Sequence, residues 1–166
     1  MNTKEMLRKF GRSFPKKYAV MNHDRVGLMT GKMPEEVHKV LLCLDCDWEL
    51  FPLIELYRPE LIITHHPFIF GGTKHQVFKY DLSKKELCEK IDAMGIPVYS
   101  MHTNFDTGKG GMNDALAEAL GLENISIPEK NIMMRIGSLK EEMDVVEFAK
   151  FAKKQFNVDY SLLINK

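Results

Sequence analysis

The 166-residue chain has no surplus charge of either sign: 23 Lys and Arg stand against 23 Asp and Glu, a formal net charge of +0. Without a basic excess to gather phosphates, nucleic acid is not an expected partner. No hydrophobic run approaches the roughly 18 residues that a bilayer-crossing helix needs, so no membrane span is expected. The opening stretch, MNTKEMLRKFGRSFPKKYAV, lacks the continuous apolar segment of a secretion signal. Cysteine is scarce, at 3, and an odd, small number gives no disulfide framework and suits a reducing compartment. The expected location is cytoplasmic. Cys43 and Cys46 form a CxxC, but no second pair completes a zinc site. Cys43 lies inside the apolar run VLLCLD, not at a helix start where a redox thiol is activated. Both cysteines read as structural.

What is present suits a globular fold. At 45% apolar and 28% charged, the chain can bury a core. Near-zero charge offers little repulsion between copies, which leaves self-association open. Apolar periodicity predicts a helix over residues 3–11, a strand over 37–45, and a helix through WELFPLIELY that Asp47 caps. RPELIITHH brings a second strand, GGTKHQVFKYD reads as a loop, and SKKE at 83–86 as a capping box for a helix ending near Gly95. IPVYSMH is a third strand, TNFDTGKGG a turn, and MNDALAEALG a helix. Strand and helix thus alternate from 37 to 121, the signature of an α/β fold with a mostly parallel or mixed sheet covered by helices. ENISIPEKN reads as a connection, IMMRIGSLK as a strand, DVVEFAKFAKKQF as a helix opened by Asp144, and DYSLLINK as the start of another strand. The expected organisation is a lobe over 1–125, then a connection and the beginning of a second, similar lobe over 126–166.

Histidine carries the chemical signal. His38, at a strand start, and His75, in a polar loop, read as ordinary surface residues. His65 and His66 differ, because THHP stands at the carboxyl end of a predicted strand, where open α/β sheets place their ligands. His102 ends the next strand, and Asp106 follows in HTNFD. If the strands are neighbours, imidazoles and a carboxylate share one rim. That is the ligand mix of Zn, Fe, Mn, Ni or Co. Successive side chains on a strand diverge, so each of the paired imidazoles is expected to take its own ion, with Asp106 as bridge. Two ions about 3.5–4 Å apart are a recurrent hydrolytic arrangement. DTGKGG lacks the spacing of a phosphate-binding loop; its expected work is to place Asp106 and open the next helix.

LIITHHPFIF and VYSMHTNFDTGKGGMNDALAEALGL resemble the two signature segments of the Nif-three-like dinuclear metal-binding family, whose bacterial members are often labelled GTP cyclohydrolase type 2 homologues. DRVGLMTG at 24–31, VHKVLLCLDCDWEL and IMMRIGSL resemble further family segments. The resemblance implies a cytoplasmic protein of two similar lobes in ring-like hexamers, with two divalent metal ions in a cleft between the lobes. His65 and His66 match its paired ligands and Asp106 its bridging aspartate. His102 matches a histidine at the edge of the site, suited to orient a ligand or carry a proton as a catalytic group. The family's second lobe supplies a His-x-x-x-Glu pair, and here no histidine follows His102. On this resemblance the chain supplies first-lobe ligands only. His23 and Arg25 flank Asp24 where the family usually shows Trp and Asn, and Arg25 in the cleft would favour an anionic substrate. The implied function is metal-dependent hydrolysis of a small substrate, a nucleotide or phosphoester. The alternative is a non-catalytic metal-binding scaffold or regulatory protein.

Overall fold

The computed structural model describes residues 1–19 and 24–160. His23 and most of the expected last strand lie outside the described residues. The chain divides into two compact units, residues 1–109 and 110–166.

The first unit is built on a four-stranded mixed sheet. In it β2 (Val40–Cys43), β3 (Leu61–Thr64) and β4 (Val98–Ser100) run parallel, and β1 (Gly27–Thr30) runs antiparallel to β4, in the order β1-β4-β3-β2. Alternation along β3 sends Ile62 to one face and Leu61 to the other. On one face Ile62 and Val98 pack with Phe51, Ile54, Leu87 and Ile91. These come from α2 (Phe51–Tyr57) and α4 (Leu82–Ala93). On the other face Leu61 packs with Met6 of α1 (Thr3–Ser13) and with Val37. Each such aliphatic burial is worth about 1.5–3 kcal/mol. Asn2 caps α1 by accepting from Glu5 N, and Asp47 accepts from Leu50 N at 3.0 Å just before α2. The helix α2 ends where Arg58 turns left-handed.

Local chemistry overturns four of the sequence expectations. The supposed loop at 71–81 contains α3 (Lys74–Tyr80), which carries His75. A capping box opens it: Gln76 N donates to Thr73 Oγ1 at 3.2 Å, and Thr73 N donates to Gln76 Oε1 at 2.9 Å. Ser83 does not cap α4. Asp81 does, accepting from Lys84 N at 2.7 Å, while the Ser83 hydroxyl accepts from Trp48 Nε1 at 2.8 Å. TNFDT is a short helix, α5 (Thr103–Thr107), not a turn. The stretch read as a connection after residue 121 begins as a strand.

The second unit holds α6 (Met112–Ala119), a hairpin of β5 (Leu122–Ser126) and β6 (Ile136–Leu139), and α7 (Val145–Phe156). Arg135 pairs with Asp114, and Asn113 Nδ2 donates to Met133 O at 2.7 Å, tying α6 to the approach to β6. The expected helix cap at Asp144 is present, its carboxylate accepting from Val146 N at 2.8 Å.

Candidate metal centre

The site grows from the register of neighbouring strands. Thr64 of β3 stands opposite Ser100 of β4, so the residues that follow both strands leave the sheet at one rim. Two buried hydroxyls fasten that rim, with Thr64 Oγ1 and Ser100 Oγ 2.7 Å apart. Met101 N donates to Thr64 O, and Phe68 N donates to Ser100 Oγ. His65 and His66 follow at once, and His102 comes two residues after Ser100.

The histidine pair does not diverge as a continuing strand would require. The strand stops at Thr64 and the chain bends at both histidines, with the Thr64 hydroxyl donating to His66 O at 2.7 Å. The ring centroids come to 5.2 Å. His102 stands within the same group, its ring 5.4 Å from that of His65 and 5.8 Å from that of His66. One ligating nitrogen from each of the three lies within 4.8 Å of the others. Asp106, on α5, brings its Oδ1 to 3.6 Å from His65 Nε2. The four residues singled out by sequence are therefore neighbours, with Asp106 beside His65.

Two carboxylates that sequence reasoning did not select complete the arrangement. Asp45 oxygens lie 2.9 and 3.0 Å from His66 Nδ1. Asp24, whose side chain is fully buried, holds His102 Nδ1 at 2.8 Å and accepts from the Thr103 hydroxyl. Both can be reached from topology. Asp45 lies two residues past the end of parallel β2. Asp24 precedes β1, which is antiparallel and so begins at the rim where β4 ends. A carboxylate on Nδ1 fixes the imidazole with its proton there and leaves the Nε2 lone pair free, the orientation that metal-ligating histidines use.

The donor set fits divalent transition ions. A hydrogen bond between His65 Nε2 and Asp106 would close to about 2.7–3.2 Å, and 3.6 Å is longer. Two ligands of one ion, each at about 2.0–2.2 Å, stand roughly 3–3.5 Å apart, close to the separation here. Burial pushes the His65 ring below its ordinary pKa, against the pull of Asp106 and the Met101 backbone, with His102 and His66 adding to the depression. A neutral imidazole is the form that ligates. Its Nδ1 is buried without a hydrogen-bond partner of good geometry. Phe105 and Phe70 flank the rings, 6.2 Å from His65 and 6.4 Å from His102.

Other candidates fall outside the group. His38 sits on the surface 3.4 Å from Glu36. Arg25 is exposed and donates to Gly72 O at 2.6 Å. The CxxC pair takes no part: burial, with carboxylates nearby, pushes Cys43 up to about 11, and burial pushes Cys46 up to about 12. Thiols held so firmly protonated are poor nucleophiles and poor ligands.

The family model described as Duf34/NIF3 (NGG1p interacting factor 3) matches residues 1–166. A Clostridium perfringens protein named GTP cyclohydrolase 1 type 2 homolog is 35% identical over 141 residues, covering 81% of this chain and 53% of its own length. A Lactococcus lactis protein of the same name is 30% identical over 165 residues, covering 99% of this chain and 63% of its own. Among solved structures, a Bacillus cereus protein related to NIF3 is 35% identical with a TM-score of 0.64, covering 76% of this chain and 34% of that one. A Staphylococcus aureus hypothetical protein shares the fold at a TM-score of 0.78 and 23% identity, covering 96% and 66%. The chain spans about half the length of the Clostridium relative. With the family model running the length of the sequence over a fold its relatives share, the chain belongs to the Duf34/NIF3 (NGG1p interacting factor 3) family.

Proposed function

We propose that the rim cluster holds two divalent transition-metal ions and that the protein is a metal-dependent hydrolase of a small substrate, a nucleotide or phosphoester. The observation that carries this reading is the convergence of His65, His66 and His102 from two adjacent parallel strands, with ligating nitrogens within 4.8 Å of one another. His65 and His66 would be ligands and Asp106 the shared carboxylate. Ions there would supply Lewis acidity, drawing the pKa of water toward neutrality. Asp45 orients His66, and the buried Asp24 orients His102. With Nδ1 engaged by Asp24, His102 presents Nε2 as the atom that would take up or give back a proton. Phe70 and Phe105 would shield the rings from bulk water on their sides. The name borne by the curated relatives, a cyclohydrolase homologue, agrees with hydrolysis of a nucleotide. A cytoplasmic setting and a homo-oligomer belong to the same reading.

Metal analysis of the purified protein tests it. Wild type should retain a divalent transition ion that His65→Ala, His66→Ala loses, and equal metal in the two proteins would refute the site. Metal-loaded protein should then release product from nucleoside triphosphates or phosphodiesters with Mn or Zn present. Full metal content without turnover across that panel would keep the metal role and remove the hydrolytic one.

A further inference from the structure

Phe70 is the odd member of its segment. In PFIF, residues 67–70, Phe68 and Ile69 are buried in the core at 3% and 1% exposure, while Phe70 is 50% exposed. A single surface hydrophobe means little by itself, but this one borders the candidate centre. Its ring stands 6.4 Å from that of His102, at 82° to it, with half its surface open. Gly71 follows in the left-handed region, a conformation that a side chain there would strain. Gly72 then accepts at its carbonyl from Arg25 Nη1 at 2.6 Å.

Arg25 is the second part of the arrangement. It adjoins Asp24, whose carboxylate is taken up by His102 and Thr103. The other two carboxylates of the centre, Asp45 and Asp106, face His66 and His65. The guanidinium is exposed, and among the described residues its partner is a neutral carbonyl, with no carboxylate paired to it. A guanidinium carries five N–H donors, and the bond to Gly72 uses one. That bond also ties Arg25 to the loop that carries Phe70, since Gly72 lies two residues on, at most about 7 Å of chain.

The two side chains recognise different chemistry. An open aromatic face takes a flat ring by stacking, and a guanidinium fork takes a phosphate. Set this close, they suit one molecule that carries both groups. A sugar phosphate offers nothing to Phe70, and a nucleoside without phosphate offers nothing to Arg25. Divalent ions would draw any phosphate ester, so the choice between a nucleotide and a simple phosphoester falls to these two residues.

We infer that Phe70 and Arg25 form a substrate subsite beside the centre, with Phe70 stacking on the base of a nucleoside phosphate and Arg25 binding its phosphate. The inference rests on the metal-centre reading above and narrows its substrate class to nucleotides.

Calorimetric titration of the 166-residue protein in Mn-containing buffer tests it, with AMP, ribose phosphate and adenosine as probes. Metal content and circular dichroism are recorded for each variant. Wild type should bind AMP more tightly than either fragment. Phe70→Ala should weaken AMP by roughly 5- to 150-fold, the range of a lost base stack, and leave ribose phosphate unchanged, while Phe70→Trp should keep AMP bound. Arg25→Gln should weaken AMP and ribose phosphate by the same factor and leave adenosine unchanged. An arginine that merely pins the loop would, on replacement, weaken all three probes. AMP bound no better than ribose phosphate, Phe70→Ala weakening both phosphates alike, or Arg25→Gln weakening adenosine as well would each overturn the inference. Metal content decides the centre separately. Protein that holds no metal yet shows both variant patterns keeps the subsite and loses the centre, and full metal content with unresponsive variants removes the subsite alone.

Discussion

The two units of the chain use similar apolar patterns to different ends. In residues 1–109 the pattern is spent on burial: Ile54, Leu61, Ile62, Leu87, Ile91 and Val98 are inaccessible to solvent or nearly so. In residues 110–166 the described residues include one buried hydrophobic side chain, Ala117. The helix α7 has an apolar stripe, yet Val145 is 51% exposed and no residue of the helix is buried. An amphipathic sequence specifies a helix; it does not supply the surface that covers it. The candidate centre is assembled wholly from the unit that has a core, where packed strands can hold side chains to fixed positions.

Substitution on the two sides gives the sharpest test of that contrast. Ile62→Ala, at the centre of the sheet, should cost about 2–5 kcal/mol in urea unfolding, whereas Ile125→Ala on β5, which is only half-buried, should cost well under that. Equal losses would mean that the second unit has a core of its own. Asp24→Ala comes next. It leaves the His102 and Thr103 donors without the buried carboxylate they share, at about 1–3 kcal/mol. On the proposed function it should also lower turnover by the metal-loaded protein by about 10–100-fold, because Asp24 holds the His102 ring that would move the proton. Loss of stability with turnover untouched would separate Asp24 from the centre.

Legibility in the sequence followed the same division. The parallel strands, the helices α1, α4 and α6, and the grouping of His65, His66, His102 and Asp106 could be read because strand ends and neighbouring β-segments constrain one another. Asp24 and Asp45 could not, since nothing local distinguishes a carboxylate that orients an imidazole from one in solvent. Their role follows only from β1 being antiparallel and β2 adjacent to β3. The convergence of His65 and His66 was misread because strand alternation was carried past Thr64, where the hydroxyl bond to His66 O already turns the chain. The helix α3 was missed because the glycines before it outweighed a capping box that is plain once Thr73 and Gln76 are paired. The strand β5 was missed because Glu123 and Asn124 are poor strand residues, and only pairing with β6 holds them there.

A pH series sharpens the comparison within the site. Burial lowers the His65 pKa below the 6.5 of a free ring, so the unfolded chain takes up this proton before the folded one does. Stability from neutral His65 is therefore complete above about 6.5 and is lost as pH falls through the lower, folded value. Metal-free protein should show a falling urea midpoint over that window, and His65→Asn should flatten the fall relative to wild type. An identical slope in both proteins would show that Asp106 offsets the cost of burial.

The smallest effect is the most discriminating for the second unit. Val146→Ser sits on the first turn of α7 with the valine 45% exposed, so little apolar surface returns to water on unfolding. The side chain makes none of the buried contacts whose loss dominates destabilising mutations, and the change should fall within about 0.5 kcal/mol. Its backbone N–H, bonded to Asp144, is unaffected, so the cap survives the substitution. Amide exchange should agree: α7 should exchange through local opening well before Ile62 and Val98, whose strands open only with the sheet. A Val146→Ser variant that lost several times that free energy, or α7 amides as protected as those of β3, would show that the apolar stripe is covered in solution, and the contrast between the two units would vanish.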